Sequence, residues 1–212
     1  MSLTLHGYWR SGTSYRTRIA LGLKGLDYDQ VTHDLRANEQ KSDAYRALSP
    51  QGLVPAIEQG DYTLWQSPAI LEWLEDTYPV PNLLPRNAEE RGIVRAMCAI
   101  IGCDVHPLNN LRVLKSLKND LGADQSAIDA WAARWIHEGF AALERLIAGH
   151  GADYSYGTTP TLVDCYLIPQ VYSAERFGVD LSDYDRIMAV NARALSHPAF
   201  VAAHPDRQPD AD

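Results

Sequence analysis

Residues 53–74 read LVPAIEQGDYTLWQSPAILEWL, and this stretch predicts a β-hairpin followed by a helix. The Gln-Gly-Asp signal at 59–61 separates two short apolar segments, as the turn of a hairpin does. Ser67 is a suitable N-cap for the helix, and Pro68 suits its first turn. Two strands and one helix are therefore expected in this part of the chain.

Toward the N-terminus, strand-like and helix-like segments alternate. Strands are predicted at 3–8 and 28–32, and helical segments at 14–24 and 37–48. Together with the hairpin and its helix, these segments give the order βαβ followed by ββα. That order predicts a small mixed α/β domain over residues 1–82.

Toward the C-terminus, a proline-rich segment at 79–85 indicates a linker, and the rest of the chain has helical periodicity. An all-helical domain is predicted over residues 88–212. Pro169 is expected to kink or interrupt one of its helices. The predicted helices cover 89–117, 124–147, a segment that begins at Thr161 with Asp164 as its reciprocal capping partner, and 183–195.

The composition is that of an ordinary globular protein, since 46% of the 212 residues are hydrophobic and 22% are charged. The formal net charge of −8 has the wrong sign for nucleic-acid binding, which needs fields of Lys and Arg. No apolar run approaches the ~18 residues of a membrane span, and no secretory signal pattern is present, so a soluble cytoplasmic protein is expected. The three cysteines lack paired spacings, which predicts buried reduced thiols and no metal site.

Three short segments of the first domain suit an anionic or peptide-like ligand. The loop at 8–16 leads from a strand into a helix N-terminus, where hydroxyls and backbone N–H groups attract anions. A cis peptide at Val54-Pro55 would turn the backbone N–H and C=O of Val54 outward, toward an extended ligand. The pair Gln66-Ser67 precedes a helix and can hold a carboxylate. Helix capping or a strand-edge proline explains each feature singly, so it is their occurrence in one domain that indicates a binding site.

Several segments resemble the zeta-class glutathione transferases. The run RSGTSYRTRIAL at 10–21 is similar to that family's RSSCSWRVRIAL signature. The resemblance implies a thioredoxin-like N-terminal domain with a cis-proline, an all-helical C-terminal domain, reduced glutathione as the cofactor, and a homodimer. The other similar segments are QGLVP at 51–55, QSPAI at 66–70, HPLNNLRVL at 106–114, AERFGVDL at 174–181 and HPDRQPD at 204–210.

One position departs from that signature. The third residue of the family's SSC triplet is Thr13 in this chain, and the second is Gly12. Threonine cannot form a mixed disulfide, so the side reactions of other transferases in the family are less readily inferred for this chain. Isomerisation is still expected, because the thiol that reacts in it belongs to glutathione and not to residue 13.

The reaction implied by the resemblance is the cis–trans isomerisation of maleylpyruvate, a small dicarboxylate, to fumarylpyruvate. Glutathione thiolate adds to the alkene, the resulting single bond rotates, and elimination restores a trans alkene. Maleylacetoacetate is the alternative substrate. A broader transferase that forms stable conjugates and a glutathione-binding module without catalysis are the further alternatives.

The resemblance also implies which residues act. Ser11 and Thr13 are expected to stabilise the thiolate, and the sequence does not decide between them. Arginine suits bidentate carboxylate binding. Arg10, Arg112 and Arg176 are therefore expected to bind the substrate, and Arg10 and Arg176 to be catalytic. The implied glutathione contacts are the Val54 backbone at the cysteinyl part, Gln66 and Ser67 at the γ-glutamyl carboxylate, and Gln40, Gln51, His106 and Asn110 around the glycyl end and the thiol. Asp104 is a candidate for a contact across a dimer interface.

Overall fold

The computed structural model describes residues 2–212, and within that range it has a single four-stranded sheet. The strands are β1 (Leu3–Gly7), β2 (Tyr28–Thr32), β3 (Ala56–Gln59) and β4 (Tyr62–Trp65). The α-helices are α1 (Gly12–Leu23), α2 (Asp43–Leu48), α3 (Ser67–Thr77), α4 (Ala88–Ala99), α5 (Leu111–Asn119), α6 (Gln125–His150), α7 (Leu162–Arg176), α8 (Asp185–Ala194) and α9 (Pro198–Ala203).

The sheet has the strand order β2-β1-β3-β4. Strand β1 is parallel to β2 and antiparallel to β3, and β3 is antiparallel to β4. Leu5, at the centre, lies opposite Gln30 on one side and Ile57 on the other. Gly60 has a φ of +60° in the hairpin turn, a conformation that glycine adopts without strain. The predicted order βαβ followed by ββα, and with it the thioredoxin-like sheet, is confirmed.

The first compact unit comprises the residues up to Leu83 together with Leu195–Asp212. The predicted helical domain ran to residue 212, so the structure differs from that boundary. The reason is the apolar face of α9, which packs on α1: a methyl group added to Gly22 would lie 3.2 Å from Cβ of Ala199. Phe200 is fully buried. Residues 195–212 therefore complete the unit that contains the sheet.

The second compact unit, Leu84–Ala194, is helical as predicted. The helix expected over 89–117 is interrupted, because a π-helical turn at Ile100–Val105 and a 3₁₀ turn at His106–Asn109 separate α4 from α5. Pro107 lacks a backbone N–H and cannot continue a regular α-helix.

Helix α7 runs through Pro169, which was expected to kink or interrupt it. Every side chain from 161 to 171 is buried, so packing outweighs the hydrogen bond that the proline removes. The capping box predicted from Thr161 and Asp164 is confirmed.

No helix within residues 2–212 is both long and apolar enough to cross a bilayer. The cysteines form no disulfide in this range. Cys98 and Cys165 are buried as expected, whereas Cys103 is exposed on the π-helical turn, where the chain leaves the regular helix.

Candidate active site

The loop between β1 and α1 forms a tight turn that ends at Ser11. The backbone N–H of Ser11 donates to the carbonyl of Tyr8 at 3.1 Å. Ser11 is the N-cap of α1, and its hydroxyl accepts the backbone N–H of Ser14 at 3.3 Å. Ser11, and neither Thr13 nor Ser14, is therefore the residue that caps this helix. Ser11 stands at the positive end of the helix, where an anion is stabilised.

Ser11 and Thr13 form a hydrogen-bonded pair in which the roles can be assigned. Their hydroxyl oxygens are 3.0 Å apart, and the Thr13 hydroxyl donates to the Val54 carbonyl at 3.0 Å. A hydroxyl has a single proton to donate. Since the proton of Thr13 points to Val54, Ser11 is the donor in the contact between the two.

The peptide bond between Val54 and Pro55 is cis, as predicted. The carbonyl of Val54 accepts a hydrogen bond from the Thr13 hydroxyl, which occupies one of its two lone pairs. The backbone N–H of Val54 makes no hydrogen bond with any of residues 2–212. The N–H is therefore available to pair with an extended ligand, and the prediction that both backbone groups do so stays a prediction.

The N-cap of α3 lies one residue before Ser67, the residue predicted to be the cap. Gln66 is the N-cap of α3 without a side-chain capping bond, and its φ of +72° is strained for a residue other than glycine. Ser67 is the first helical residue, and its buried hydroxyl accepts from Nη1 of Arg16 at 3.0 Å. Arg16 is 2% exposed. A helix N-terminus and a buried guanidinium together favour a carboxylate at this position.

Gln40 lies in a 3₁₀ turn within the loop that joins β2 to α2, and Gln51 lies on the loop that joins α2 to β3. The side-chain amide of Gln66 donates to Oε1 of Gln51, so the structure brings these two predicted residues together. Gln40 is 7% exposed, and its Oε1 is buried without a hydrogen-bond partner in the described chain. Gly52 has a φ of +59°, and a Cβ there would lie 2.6 Å from the Gln40 carbonyl oxygen. Only glycine allows the two loops to approach so closely.

Arg10 is half-buried on the same turn as Ser11. Its guanidinium carbon lies 5.3 Å from the centre of the Trp9 ring, a cation–π contact that restrains the side chain. The first unit thus contains eight of the predicted residues: Arg10, Ser11, Thr13, Gln40, Gln51, Val54, Gln66 and Ser67.

The other four predicted residues belong to the second unit. His106 begins the 3₁₀ turn, and Asn110 caps α5 by accepting the backbone N–H of Arg112 at 3.1 Å. Arg112 is exposed in the first turn of α5. Arg176, also exposed, is the last residue of α7, with its guanidinium carbon 5.9 Å from the Tyr172 ring centre.

Sequence reasoning missed Asn109 as a candidate. It is 8% exposed, and neither polar atom of its side-chain amide has a hydrogen-bond partner within residues 2–212. A buried amide without partners is costly unless a ligand or water satisfies it. Asn109 lies within the segment HPLNNLRVL that resembles the family, and this was a signal for it, but Asn110 was chosen from that segment.

A separate cavity of about 380 Å³ between α6 and α8 contains none of the predicted residues.

Two family models match the chain. The model for the N-terminal domain of glutathione S-transferase matches residues 1–76, and the model for the C-terminal domain of glutathione S-transferase matches residues 125–195. The chain is 52% identical to a maleylpyruvate isomerase from Ralstonia sp, over 98% of this chain and 99% of that relative. It is 46% identical to a maleylacetoacetate isomerase from Pseudomonas aeruginosa, over 98% of each.

Solved structures agree with these matches. The holo structure of a maleyl pyruvate isomerase, described as a bacterial glutathione S-transferase of the zeta class, superposes with a TM-score of 0.97 at 52% identity. The match covers 99% of this chain and 100% of that one. A maleylacetoacetate isomerase from Anaeromyxobacter dehalogenans, solved with bound GSH in the active site, has a TM-score of 0.90 at 41% identity and covers 100% and 98% of the two chains.

Proposed function

The chain belongs to the zeta class of the glutathione S-transferase family, and from that premise we propose that it is a glutathione-dependent isomerase converting maleylpyruvate to fumarylpyruvate. The observation that carries the proposal is the likeness to the Ralstonia relative, which extends over nearly the whole of both chains. The match covers 98% of this chain, and in this chain the hydroxyls of Ser11 and Thr13 form a hydrogen-bonded pair.

Glutathione fits the groups that the first unit presents. The backbone N–H of Val54 is available to pair with the cysteinyl part of a peptide. Ser67 at the start of α3, beside Arg16, suits the γ-glutamyl carboxylate. The buried Oε1 of Gln40 is free to accept a hydrogen bond from a ligand, and the hydrogen-bonded pair of Gln51 and Gln66 offers further amide groups. We assign His106 and Asn110 to the glycyl end and the thiol on the family resemblance.

Bound glutathione supplies a thiolate that adds reversibly to the substrate alkene. A free thiol has a pKa near 8.5, so the site must favour the charged form. Ser11 is the donor we assign to this task, because its hydroxyl proton is directed to the side chain of Thr13 and can be redirected to a sulfur. Thr13 holds its own proton on the Val54 carbonyl and orients Ser11.

The substrate carries two carboxylates, and we propose that Arg10, Arg112 and Arg176 bind them. Guanidinium groups remain charged at any working pH and match the planar geometry of a carboxylate. Arg10 is adjacent to Ser11 in the chain, which makes it the arginine to stabilise negative charge that develops during the reaction. We assign Arg176 to a substrate carboxylate on the family resemblance.

The deciding experiment measures isomerisation of maleylpyruvate and of maleylacetoacetate by absorbance, each with and without glutathione. We expect turnover only with glutathione and a higher kcat/KM for maleylpyruvate. A higher kcat/KM for maleylacetoacetate would reassign the substrate, in line with the Pseudomonas relative. Turnover without glutathione would contradict the mechanism, and stable conjugates in place of isomer would indicate a general transferase.

We also propose a homodimer located in the cytoplasm. Tyr62 and Trp65, on the edge strand β4, are 45% and 38% exposed, and Val80 is 83% exposed. Exposed apolar groups of this kind are typical of protein–protein interfaces. Asp104 is exposed and is a candidate for a contact with the partner. Sedimentation equilibrium tests the dimer, and Trp65→Glu should shift it toward monomer.

A further inference from the structure

We infer that Asp210, in the segment that follows α9, is a positioning residue for the loop that carries Arg10 and Ser11. The inference rests on the proposed function of those two residues. Asp210 is far from them in sequence and belongs to the same compact unit.

Asp210 holds the loop through its backbone. The backbone N–H of Trp9 donates to Oδ2 of Asp210 at 2.9 Å, and the side-chain amide of Gln30 donates to Oδ1 at 3.1 Å. Both carboxylate oxygens are thus engaged, one by β2 and one by the residue immediately before Arg10. Hydrogen bonds to an ionised acceptor are roughly twice as strong as those between neutral groups.

A second charged side chain holds the other face of the same residue. Nη2 of Arg18 donates to the Trp9 carbonyl at 2.9 Å, and Nε donates to the carbonyl of Ala203 at 2.9 Å. Arg18 is 1% exposed and Trp9 is 6% exposed. Asp210 therefore holds the backbone N–H of Trp9 and Arg18 holds its carbonyl, and Trp9 and Arg18 are both shielded from solvent.

Trp9 transmits this restraint to the two functional side chains. Its ring contacts the Arg10 guanidinium, whose central carbon is 5.3 Å from the ring centre. It also stands inside the turn that the Ser11 N–H closes on the Tyr8 carbonyl. A shift of the Trp9 backbone would move the guanidinium and the hydroxyl together.

The segment has a second anchor besides Asp210. The side-chain amide of Gln208 donates to the carbonyls of Ala202 and His204, both at 2.9 Å. These bonds anchor the segment to the end of α9. The bonds of Asp210 go to the loop and to β2, which is what a positioning role requires.

The test compares Asp210→Ala with Asp210→Asn and with the matched control Asp206→Ala. Asp206 lies in the same segment, with an exposed side chain whose ion pair is to His204 at 3.8 Å. For each protein we would measure kcat and KM, the pKa of the bound glutathione thiol, and hydrogen exchange at the Trp9 amide. The asparagine keeps one oxygen for Trp9, while its amide group faces Gln30, which can turn to offer an oxygen.

We expect Asp210→Ala to lower kcat by about tenfold, short of the roughly hundredfold loss of a 1 Å misplacement. The thiol pKa should rise, Trp9 exchange should accelerate, and glutathione affinity should stay near that of the wild type. Asp210→Asn should restore most of kcat, and Asp206→Ala should behave as wild type. Unchanged kcat and thiol pKa in Asp210→Ala, or unchanged Trp9 exchange, would overturn the inference. A wild-type protein without isomerase activity would instead contradict the proposed function, and the exchange at Trp9 would still report whether Asp210 holds the loop.

Discussion

At the scale of single residues, the direction of one proton separates the roles of Ser11 and Thr13. Because Thr13 donates to the Val54 carbonyl, only Ser11 has a proton to give to a thiolate. Ser11→Ala should therefore raise the thiol pKa of bound glutathione by about one to two units, the equivalent of roughly 1.5–3 kcal/mol for a hydrogen bond to a charged group. Thr13→Val should change that pKa by much less.

Titration of the thiolate absorbance in the binary complex measures both effects. Thr13→Ser is the matched control, since it keeps the hydroxyl and should titrate like the wild type. If Thr13→Val raised the pKa as much as Ser11→Ala, the assignment of the proton would be wrong.

Arg176 distinguishes a dicarboxylate isomerase from a general transferase. Arg176→Ala should lower kcat/KM for maleylpyruvate about 10–150-fold, because one substrate carboxylate loses its charged partner. Lysine should restore only part of the loss, since an ammonium lacks the planar pair of donors. Conjugation of an uncharged electrophile to glutathione serves as the internal control, and its rate should hardly change.

The control variant for Arg176 is Arg145→Ala. Arg145 is exposed on α6 and donates to the carbonyl of Ala141 in its own helix. Equal losses in both reactions on replacing Arg176 would make that residue structural and remove it from the site.

The sequence predicted which residues belong to the site better than it predicted the hydrogen bonds between them. The loop, the cis-proline and the Gln66-Ser67 pair were all indicated by local patterns. The bond from Thr13 to Val54 was not, because it joins residues that only the folded sheet brings together. The same holds for Asp210 and Trp9. Ser67 was predicted as a cap because its type suits one, but the positive φ of Gln66 moves the cap one residue earlier.

At the scale of elements, the capping box of α7 is a buried anchor. Asp164 accepts the backbone N–H groups of Ser155 at 2.9 Å and of Thr161 at 2.7 Å, and no part of it is exposed. Asp164→Ala leaves both donors buried without an acceptor. An unsatisfied buried donor costs about 1–3 kcal/mol, so the loss of the acceptor for two of them should lower the free energy of unfolding by roughly 2–6 kcal/mol.

Chemical denaturation measures that loss, and Asp124→Ala provides the comparison. Asp124 caps α6 with a bond of 2.8 Å to the Ala127 N–H at an exposed position, so water can replace it. Its removal should cost only about 1 kcal/mol. Equal losses in the two variants would show that burial does not set the strength of the α7 cap.

His6 on β1 and His33, the residue after β2, form a hydrogen-bonded pair beside the sheet. Nε2 of His6 is 2.6 Å from Oε2 of Glu58, and its Nδ1 is 3.1 Å from Nε2 of His33. The His33 ring packs on Tyr45 with centroids 4.2 Å apart. Burial and then the nearby His6 lower the pKa of His33 from its ordinary 6.5, and Glu39 opposes them.

The lowered pKa means that the folded protein favours neutral His33. Its contribution to stability is fully present above pH 6.5 and is lost as the pH falls through the lower folded pKa. The free energy of unfolding should therefore decrease on acidification below that pH. In His33→Gln, which keeps a donor for His6 but does not titrate, the decrease should be smaller; an identical pH profile would exclude His33 as its source. His150→Gln is the control.

Element order could be predicted because apolar periodicity is local. Strand β2 has the predicted bounds, and α1, α6 and α8 lie within a few residues of theirs. The break between α4 and α5 was missed because the apolar pattern continues across it, while Pro107 and the packing around it change the backbone. Helix α9 was missed because it is short and is stabilised by its contact with α1.

At the scale of the whole molecule, glutathione should act as a stabiliser. A ligand that binds only the folded state adds about 2.7 kcal/mol at a hundredfold excess over its Kd. For a chain of this size that corresponds to a rise in Tm of roughly 5–10 °C. Differential scanning fluorimetry should show this rise for the wild type and for Arg176→Ala, and a smaller one for Gln66→Ala. No rise at millimolar glutathione would contradict the assigned binding site.

The grouping of residues 195–212 with the sheet has a consequence for biosynthesis. On the ribosome, the strands and α1 emerge first, but the segment that covers α1 and carries Asp210 is made only after the entire helical unit. At about 5–20 residues per second, the incomplete unit waits on the order of ten seconds. During that time the Trp9 N–H lacks the Asp210 carboxylate, so the restraint on the loop that bears Ser11 is completed last. A nascent chain stalled before residue 195 would leave uncovered the part of α1 on which α9 packs.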